Sequence, residues 1–510
     1  MAPVTVVLFL AQRDEETPST SDNPKSTTVV MEYIDIAVIG GGPAGLMAAI
    51  AAAGQLAAAQ PSSATGHPLQ ASQSLPPGPS IKTAGRPRIV VFEKGPRPGR
   101  KLLASGSGRC NLTHEGDIGS FLGHYGGGEK PPGNPADDGN RAPGSAGRFL
   151  RKALYDFDNK ALRLWLAARG LATEADDNGK VFPVSGKATD VLAVMLREAG
   201  AAGVEIRVST KVESVSLVKV PRTSSLTANE SLAILPGSED CLELNSETSS
   251  WLVRAAVLAA GGHSYPALGS TGDSWLLAAG LGHTIVDPGP ALAPIYVKSF
   301  FYTTCAGISL PGSSVVIRRN GRVVARGYGD VLFTHGGLSG PGILDSSRWI
   351  RPGDEVVLAL GPFGSVDEAD TALRAACTAN PGKQLRSLLG EMMPRRLAEV
   401  LLSLAECPGE TRAAQLARTC RQRLAAGLGG ETFLVDRLGS LEEAMASRGG
   451  VALDEVDART MMSRLVPGFF CAGESLDIDG DTGGYNLQAA FSTGRLAGLS
   501  AAELLAPAVV

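Results

Sequence analysis

The chain has 510 residues, an apolar fraction of 44% and a formal net charge of −4, which predicts two or three globular domains and gives no sign of a basic nucleic-acid-binding surface. No run of about 18 apolar residues occurs, so we expect no membrane span. The seven cysteines include no Cys-x-x-Cys pair, which indicates reduced thiols in a cytoplasmic protein. Residues 1–30 have a brief apolar patch without a preceding basic segment, and we expect a disordered extension rather than a signal peptide.

Residues 34–50 predict a strand, a glycine-rich turn and a helix in succession. The first six are apolar and rich in β-branched side chains, which is typical of a strand buried on both faces. The turn then has the G-x-G-x-x-G spacing, in which the first glycine permits a tight turn, the second admits a pyrophosphate and the third lets the helix pack closely on the strand. The pattern predicts a dinucleotide site, and the alternative is a βα turn that binds nothing. The residues of this site are Gly40, Gly42, Pro43, Ala44 and Gly45.

An acidic residue that binds the ribose is expected about 20 residues beyond these glycines, at the end of the second strand. Residues 88–92 form the next strand pattern and Glu93 follows it, but the interval is too long. Residues 60–87 are rich in Pro, Ser, Gly, Ala and Gln without periodicity, so we interpret them as a disordered insertion that explains the interval. We expect Glu93 to bind an unphosphorylated ribose, as in FAD or NAD, and the alternative is a surface glutamate.

Residues 94–111 combine cations, small residues and glycines in a composition typical of a loop. Backbone N–H groups and cations beside a βα phosphate site suit a pyrophosphate or the edge of a flavin. Cys110 suggests redox catalysis, but no partner cysteine is near it in the sequence, and we favour the alternative of a packed thiol. The candidate cofactor residues of this loop are Lys94, Arg100, Lys101, Ser105, Gly106, Gly108, Arg109, Cys110 and Asn111.

Residues 31–290 are predicted to form the first part of the dinucleotide-binding domain. Residues 115–147 are rich in Gly and Pro, and residues 219–240 are rich in Ser and Thr, so both are predicted to be disordered insertions. A buried strand near residues 256–259 ends in paired glycines, which predicts that Gly261 reaches the cofactor at the carboxyl end of the sheet.

Residues 291–450 predict an inserted domain, with antiparallel β structure in residues 291–365 and helices in residues 366–450. Within the β part, Asn320-Gly321 lies between two alternating runs and predicts a hairpin with a type I′ turn.

Residues 451–510 are predicted to return to the first domain. A buried strand there ends at Gly473 and Glu474, and a second cluster of glycines and acids precedes a helix of small residues. One cofactor held by both ends of the chain would explain this arrangement, with the helix N-terminus aimed at the edge of a flavin. Three aspartates of the cluster resemble a calcium loop, but its later glutamate is missing and its glycines are misplaced, so we expect no metal.

Six segments together resemble the family of FAD-dependent flavoproteins with a glutathione-reductase-type core, which includes aminoacetone-oxidase-like and 3-dehydro-bile-acid-reductase-like proteins. They are residues 40–45, 101–111, 259–269, 333–341, 449–456 and 473–488, in family order. The resemblance implies an α/β fold, with a Rossmann-like FAD-binding domain and an inserted antiparallel β plus helical domain. It also implies FAD rather than NAD in the first site.

The same resemblance assigns parts of the C-terminal segment to parts of FAD. It implies that Gly473 and Glu474 lie near the ribityl or pyrophosphate region and that the Tyr485-Asn486 turn lies near the isoalloxazine. Gly483, Gly484 and Gln488 complete the cofactor residues that it implies.

We therefore expect an FAD-dependent oxidoreductase that moves a hydride or two electrons between an acceptor and a small organic substrate, or NADH or NADPH as a transient donor. The alternatives are an oxidase that uses O₂ and a non-catalytic flavin-binding redox sensor or scaffold. A nucleic-acid-modifying flavoenzyme is a third alternative, which the balanced charge and the absence of a basic patch disfavour. We expect neither a nucleic acid nor a membrane as partner. His335 and Ser339 are the catalytic candidates, because histidine exchanges protons near neutral pH, and a structural turn histidine is the alternative.

Overall fold

The computed structural model describes residues 5–10, 27–59, 87–127, 144–220, 225–228, 231–234 and 239–505. Within these ranges, no helix is both long enough and apolar enough to cross a membrane. The insertion predicted at residues 60–87 lies outside the described residues, apart from its last residue.

The helices and strands follow one another along three parts of the chain. Before the inserted domain they are β1 (Thr5–Leu10), β2 (Thr27–Ile39), α1 (Pro43–Ala58), β3 (Ile89–Phe92), α2 (Arg100–Ala104), β4 (Thr113–His114), α3 (Ile118–Phe121), β5 (Tyr125–Gly126), α4 (Ser145–Asp156), α5 (Asn159–Ala167), β6 (Thr173–Ala175), β7 (Lys180–Pro183), α6 (Ala188–Ala201), β8 (Glu205–Arg207), β9 (Ser214–Val220), β10 (Ser225–Ala228), β11 (Ser231–Ile234), β12 (Glu239–Asn245), β13 (Ser250–Leu258), α7 (Asp273–Gly280) and β14 (Ile285–Ala291). The inserted domain has β15 (Ile295–Val297), β16 (Ser309–Arg319), β17 (Arg322–Phe333), β18 (Gly337–Ser339), α8 (Pro341–Leu344), β19 (Glu355–Leu358), α9 (Val366–Ala379), α10 (Leu385–Leu389), α11 (Arg395–Leu404), α12 (Arg418–Gly430) and β20 (Glu431–Leu438). The C-terminal part has β21 (Ala446–Val451), β22 (Phe469–Cys471), β23 (Asp479–Gly480) and α13 (Tyr485–Leu505).

The large sheet has a core of parallel strands in the order β8-β3-β2-β13-β22. Ile39 at the end of β2 pairs with Phe92 of β3 and with Leu258 of β13, and Leu258 pairs with Cys471 of β22. These four strand ends are level, so the loops that follow them meet at one edge of the sheet. The α/β fold with a Rossmann-like domain is therefore confirmed.

The first and last helices pack closely against each other. A Cβ added at Gly494 of α13 would lie 2.2 Å from the carbonyl oxygen of Ala44, and one at Gly498 would lie 2.1 Å from that of Ala48. Both distances are far below van der Waals contact, so only glycine permits this crossing. The crossing fixes the beginning of α13 beside the beginning of α1.

The N-terminal region is more ordered than the sequence predicts. The prediction of disorder for residues 1–30 is wrong for β1, which pairs antiparallel with the first part of β2 and with β10. The prediction of disorder for residues 219–240 is wrong for residues 225–228 and 231–234, because β10 pairs with β11 there. Strand pairing between distant segments satisfies these backbone groups, and no local sequence pattern reveals such pairing.

The insertion predicted at residues 115–147 is also partly structured. Residues 115–127 contain α3 and β5, and residues 145–147 begin α4. Phe121 and Tyr125 are buried in the main core, so the few large apolar side chains order a segment whose glycines suggested a loop. Residues 128–143 lie outside the described residues.

The inserted domain is a closed barrel in the order β15-β18-β17-β16-β19-β20, with α9 to α12 between its last two strands. The hairpin at Asn320-Gly321 is confirmed, and both residues have the positive φ of a type I′ turn, 51° and 74°. The helical prediction for residues 366–450 is wrong from Glu431 onward. Phe433 and Val435 of β20 are buried at alternate positions, as in a strand, and β21 pairs with β14 where the chain enters and leaves this domain.

Cys407 and Cys420 form a disulfide in the helical part of the inserted domain, so the expectation of seven reduced thiols is wrong for this pair. Their Cα atoms lie 5.8 Å apart although 13 residues separate them in the sequence. The other five cysteines are free thiols.

Candidate functional site

A cleft opens at the carboxyl ends of the parallel strands, and both ends of the chain contribute to it. The loops after β2, β3, β13 and β22 supply Gly40, Glu93, Gly261 and Gly473, so the fold brings together segments that are far apart in the sequence. The empty space is about 1390 Å³, including the part open to solvent. The predicted cofactor residues that line it are Gly40, Gly42, Pro43, Ala44, Glu93, Lys94, Arg100, Lys101, Ser105, Gly261, Gly473, Glu474 and Asn486.

The three glycines of the first turn have different surroundings. Gly40 has a φ of +110°, and a Cβ there would lie 2.5 Å from the carbonyl oxygen of Ala259, while one at Gly45 would lie 1.9 Å from that of Gly40. A Cβ at Gly42 would meet no atom within 4 Å, although Gly42 lines the cleft. Gly42 also precedes the first turn of α1, whose N–H groups have no intrahelical partners. This bare backbone at a helix N-terminus fits a pyrophosphate.

The carboxylate of Glu93 lies at the end of β3. Its Oε2 accepts a hydrogen bond from the N–H of Gly41 at 3.0 Å, and its Oε1 accepts one from the N–H of Gly95 at 2.7 Å. An ionised carboxylate has about four lone-pair sites, so two remain for ribose hydroxyl groups. The two backbone bonds fix the orientation in which Glu93 would accept them.

The end of the cleft nearest Glu93 contains residues that sequence reasoning missed. Lys94 donates hydrogen bonds to Asp273 and Thr271, and Lys211 lies 3.7 Å from Asp273. Burial opposes ionisation of Asp273, but these donors outweigh it and lower the pKa of its carboxyl. Cleft-lining residues that lie outside every sequence motif and were not predicted include Tyr125, Thr210, Lys211, Val212, Ser270, Asp273, Leu277, Met445 and Ala446.

Val212 offers polar backbone groups to this end of the cleft. Its side chain is buried, and among the described residues neither its N–H nor its C=O takes part in a hydrogen bond. A buried donor and acceptor on one residue suit the edge of a purine base. Only the rule that parallel strands end at one edge could have pointed to this segment, which follows β8.

Two residues that line the cleft, Lys101 and Glu474, form an ion pair. Nζ of Lys101 lies 2.6 Å from Oε2 of Glu474, and the two residues are 373 positions apart. Oε1 of Glu474 accepts hydrogen bonds from the N–H of Ser447 at 2.8 Å and from the hydroxyl of Ser264 at 3.2 Å. The network joins α2, the loop after β13 and the loop after β22, and it places one positive and one negative charge in the cleft.

The second half of the 94–111 loop turns away from the cleft. Gly106 and Gly108 take positive φ, and neither they nor Arg109, Cys110 and Asn111 line the cleft. The guanidinium of Arg109 stacks 4.5 Å above the ring of Phe182. Cys110 is fully buried, and burial raises the pKa of its thiol to about 12, which favours a packed thiol over a redox group.

The N-terminus of α13 reaches the cleft through Asn486 and Leu487. The side chain of Asn486 is engaged by Gly480, since Oδ1 accepts from its N–H and Nδ2 donates to its carbonyl oxygen, each at 2.8 Å. Tyr485 lies outside the cleft lining and stacks on His124, with ring centroids 4.3 Å apart. The side chain of Asn486 therefore fixes the turn at the point where the chain lines the cleft.

The remaining predicted residues of this turn pack against the protein. A Cβ at Gly483 would lie 3.1 Å from the ring of His114, and one at Gly484 would lie 2.6 Å from the carbonyl oxygen of Thr113. Gln488 is buried and donates to the carbonyl oxygen of Phe157 at 2.9 Å. Gly483, Gly484 and Gln488 thus hold α13 in place without lining the cleft.

The two predicted catalytic residues lie on the inserted barrel. His335 is exposed in the loop between β17 and β18, and Ser339 is half-buried at the end of β18. Neither lines the cleft. Their catalytic role stays a prediction.

Comparisons with known proteins show which family and which proteins the chain is similar to. A family model described as HI0933-like protein Rossmann domain matches residues 80–500. The chain is 27% identical over 482 residues to the 3-dehydro-bile acid delta(4,6)-reductase of Clostridium scindens. The aligned region covers 92% of this chain and 99% of that protein. It is 29% identical over 414 residues to the ribosomal RNA dihydrouridine synthase of Escherichia coli. The aligned region covers 80% of this chain and 90% of that protein. Among solved structures, the 3-ketosteroid-delta4-(5alpha)-dehydrogenase of Rhodococcus jostii is 15% identical with a TM-score of 0.42, covering 92% of this chain and 97% of that one.

Proposed function

The chain belongs to the family of HI0933-like proteins with a Rossmann domain and is an FAD-dependent oxidoreductase, and from this premise we propose that it reduces a small organic substrate with electrons from NADH or NADPH. The observation that carries the proposal is the cleft at the level strand ends, where Gly42 leaves bare backbone and Glu93 is held ready for a ribose. Only one G-x-G-x-x-G segment occurs in the sequence, so we propose that the nicotinamide donor docks transiently and has no Rossmann domain of its own.

The reaction class that we propose is the saturation of a carbon–carbon double bond. Two relatives have names that describe such a step, a delta(4,6)-reductase and a dihydrouridine synthase. A 3-oxo compound with a neighbouring double bond and a uridine ring both have an alkene conjugated with a carbonyl group. One carbon of such an alkene accepts a hydride and the other accepts a proton. Bound FAD supplies the hydride, because its isoalloxazine ring accepts and donates hydride equivalents.

The residues of the chain bind and orient in this account. Glu93 would accept hydrogen bonds from the ribose, and the backbone at Gly42 with the N-terminus of α1 would face the pyrophosphate. The N-terminus of α13 would favour negative charge on the reduced flavin. His335 is the proposed proton donor on the substrate side, with Ser339 four residues after it, although neither residue lines the cofactor cleft itself.

The proposal keeps two rivals from the sequence. An oxidase would pass the electrons to O₂, and a redox sensor or scaffold would bind flavin without turnover. A cytoplasmic location is part of the proposal, since five of the seven cysteines are free thiols.

A second candidate substrate is uridine in RNA, which the likeness to the dihydrouridine synthase favours. The barrel hairpin has a surface of suitable chemistry, because Arg322 and Arg326 are exposed and form no ion pair with a described residue, and Tyr328 is 66% exposed two residues beyond Arg326. Cations contact phosphates and an exposed ring can stack on a base. The net charge of −4 argues against this candidate.

Anaerobic titration of the purified protein with NADH and NADPH, followed by addition of a candidate oxidant, tests these proposals. We expect one nicotinamide to bleach the flavin absorbance and a steroid-type enone to restore it. Restoration by uridine-containing RNA instead would favour the second candidate. A flavin that neither nicotinamide reduces would favour the sensor, and one reoxidised only by O₂ would favour the oxidase.

A further inference from the structure

One arginine and three aspartates join the inserted barrel to the segment that precedes the C-terminal helix. We call this group the seam cluster, and it consists of Asp345 and Arg348 from the barrel and Asp479 and Asp481 from the C-terminal segment. Each side chain of the ion pairs within it is 4% exposed or less. Nε of Arg348 lies 2.7 Å from Oδ1 of Asp479, and Nη2 lies 2.8 Å from Oδ1 of Asp481. Attraction between the positive charge of the guanidinium and the negative charges of the two aspartates favours these contacts.

The seam cluster contacts the backbone as well as the side chains of the C-terminal segment. Oδ1 of Asp345 accepts a hydrogen bond from the N–H of Thr482 at 2.6 Å, and Oδ2 accepts one from its hydroxyl at 3.2 Å. On the other side, Asp481 contacts Nδ1 of His124 at 3.0 Å, and its N–H donates to the carbonyl oxygen of His124 at 2.9 Å. The barrel and the first domain therefore hold this segment from two sides.

Gly126 makes room for the arginine. It pairs with Asp479 in the short ladder of β5 and β23, and a Cβ there would lie 2.8 Å from Cδ of Arg348 and 3.0 Å from its Nε. The guanidinium is fully buried, so it has little freedom to move aside. Glycine at this position lets the arginine cross the ladder and reach both aspartates.

The gripped segment leads directly into the cleft. Gly480, between the two aspartates, receives both hydrogen bonds of the Asn486 side chain, and Asn486 lines the cleft. We propose that Arg348 is a positioning residue: from the inserted barrel it holds residues 479–486 so that the N-terminus of α13 is correctly placed at the cofactor cleft. The inference rests on the proposed FAD site, and it makes the barrel part of the cofactor-binding machinery.

The test compares FAD affinity and flavin reduction potential in full-length variants. Arg348→Met should weaken FAD binding roughly tenfold or more and make the potential more negative, because the helix N-terminus loses its placement beside the reduced flavin. Arg348→Lys keeps a positive charge and should restore part of both values, which a purely steric role would not. Arg319→Met is the matched control, since Arg319 pairs with the buried Asp354 of the same barrel and does not touch the segment. It should leave both values unchanged.

Gly126→Ala keeps every charge and decides the case if Arg348→Met does not fold. It should weaken FAD binding and shift the potential in the same direction, whereas Gly54→Ala, at an exposed helical glycine whose added Cβ meets no atom within 4 Å, should do neither. If Arg348→Met folds and keeps the wild-type FAD affinity and flavin potential, the proposal is overturned and the FAD site is left intact. If Arg348→Met does not fold, the same result in Gly126→Ala overturns the proposal. A wild-type protein that binds no FAD would instead overturn the proposed function itself.

Discussion

Nζ of Lys101 and Oε2 of Glu474 lie 2.6 Å apart. This ion pair joins two segments that are far apart in the sequence but line the same cleft. The FAD pyrophosphate carries two negative charges. FAD affinity should therefore change in opposite directions when Lys101 and when Glu474 is replaced by a neutral side chain. Lys101→Met leaves the Glu474 carboxylate without its cation and should weaken FAD binding roughly tenfold. Glu474→Gln leaves the cation and should bind FAD as tightly as the wild type or more tightly. Titration of apoprotein with FAD by flavin fluorescence measures both, and equal weakening in the two variants would contradict the charge argument.

Gly42→Val tests the pyrophosphate position. The φ of Gly42 is −81° and an added Cβ meets no atom within 4 Å, so we expect the variant to fold. The branched side chain would project into the space proposed for the pyrophosphate, and we expect colourless protein. Circular dichroism checks the fold, and the flavin absorbance checks occupancy. Yellow, fully occupied Gly42→Val protein would show that the pyrophosphate lies elsewhere.

Asn486→Leu tests the role of the C-terminal turn. The substitution removes the two hydrogen bonds to Gly480, a loss of about 1–3 kcal/mol for a partly buried pair of backbone groups. We expect a folded protein that binds FAD more weakly and has a more negative flavin potential. Spectroelectrochemistry of the FAD-bound variant measures the potential. An unchanged potential with weakened binding would remove the electrostatic role of the turn and leave its binding role.

The sequence predicts those parts of the site whose structure depends on a short local pattern of residues. The spacing of Gly40, Gly42 and Gly45 requires a tight turn, bare backbone and close helix packing, and each glycine has those surroundings. Glu93 could be found despite the long interval, because a strand pattern precedes it. Composition alone was a poorer guide, since the glycines near Tyr125 concealed a buried segment.

The parts that the sequence does not predict depend on contacts between distant segments. No sequence pattern distinguishes Arg348 from an arginine on the surface. Only the folded chain shows that it is buried against Asp479 and Asp481. Val212 lines the cleft because it follows β8, whose end at Arg207 is level with the end of β3, and no residue pattern predicts this position. The pairing of Cys407 with Cys420 likewise requires the helical packing.

The seam cluster predicts a pH dependence of stability. Burial, and next the charge of Asp481, raise the pKa of Asp345 from its ordinary value of 3.8 to about 8, and burial raises the pKa of Asp479 to about 6 against the pull of Arg348. Other groups facing the cluster are Asp477, Arg448, His124 and Tyr125. A raised carboxyl pKa means that the folded state holds a proton that the unfolded chain releases. The free energy of unfolding should therefore fall as the pH rises from about 4 to about 8, and change little from this source outside that window.

Asp345→Asn isolates this contribution, because the amide resembles the protonated carboxyl and cannot ionise. Urea unfolding at pH 5, 7 and 9 should show a shallower loss of stability for the variant than for the wild type. Parallel curves for the two proteins would mean that Asp345 does not hold a proton in the folded state.

The central claim is that the cleft between the level strand ends binds FAD. The most direct measurement is the identity and stoichiometry of the flavin released by denaturing the purified full-length protein, determined by absorbance and by chromatography against FAD and FMN. The account predicts FAD at one molecule per chain, and its absence after Gly42→Val. Release of FMN, or a wild-type apoprotein that fails to bind added FAD, would contradict it.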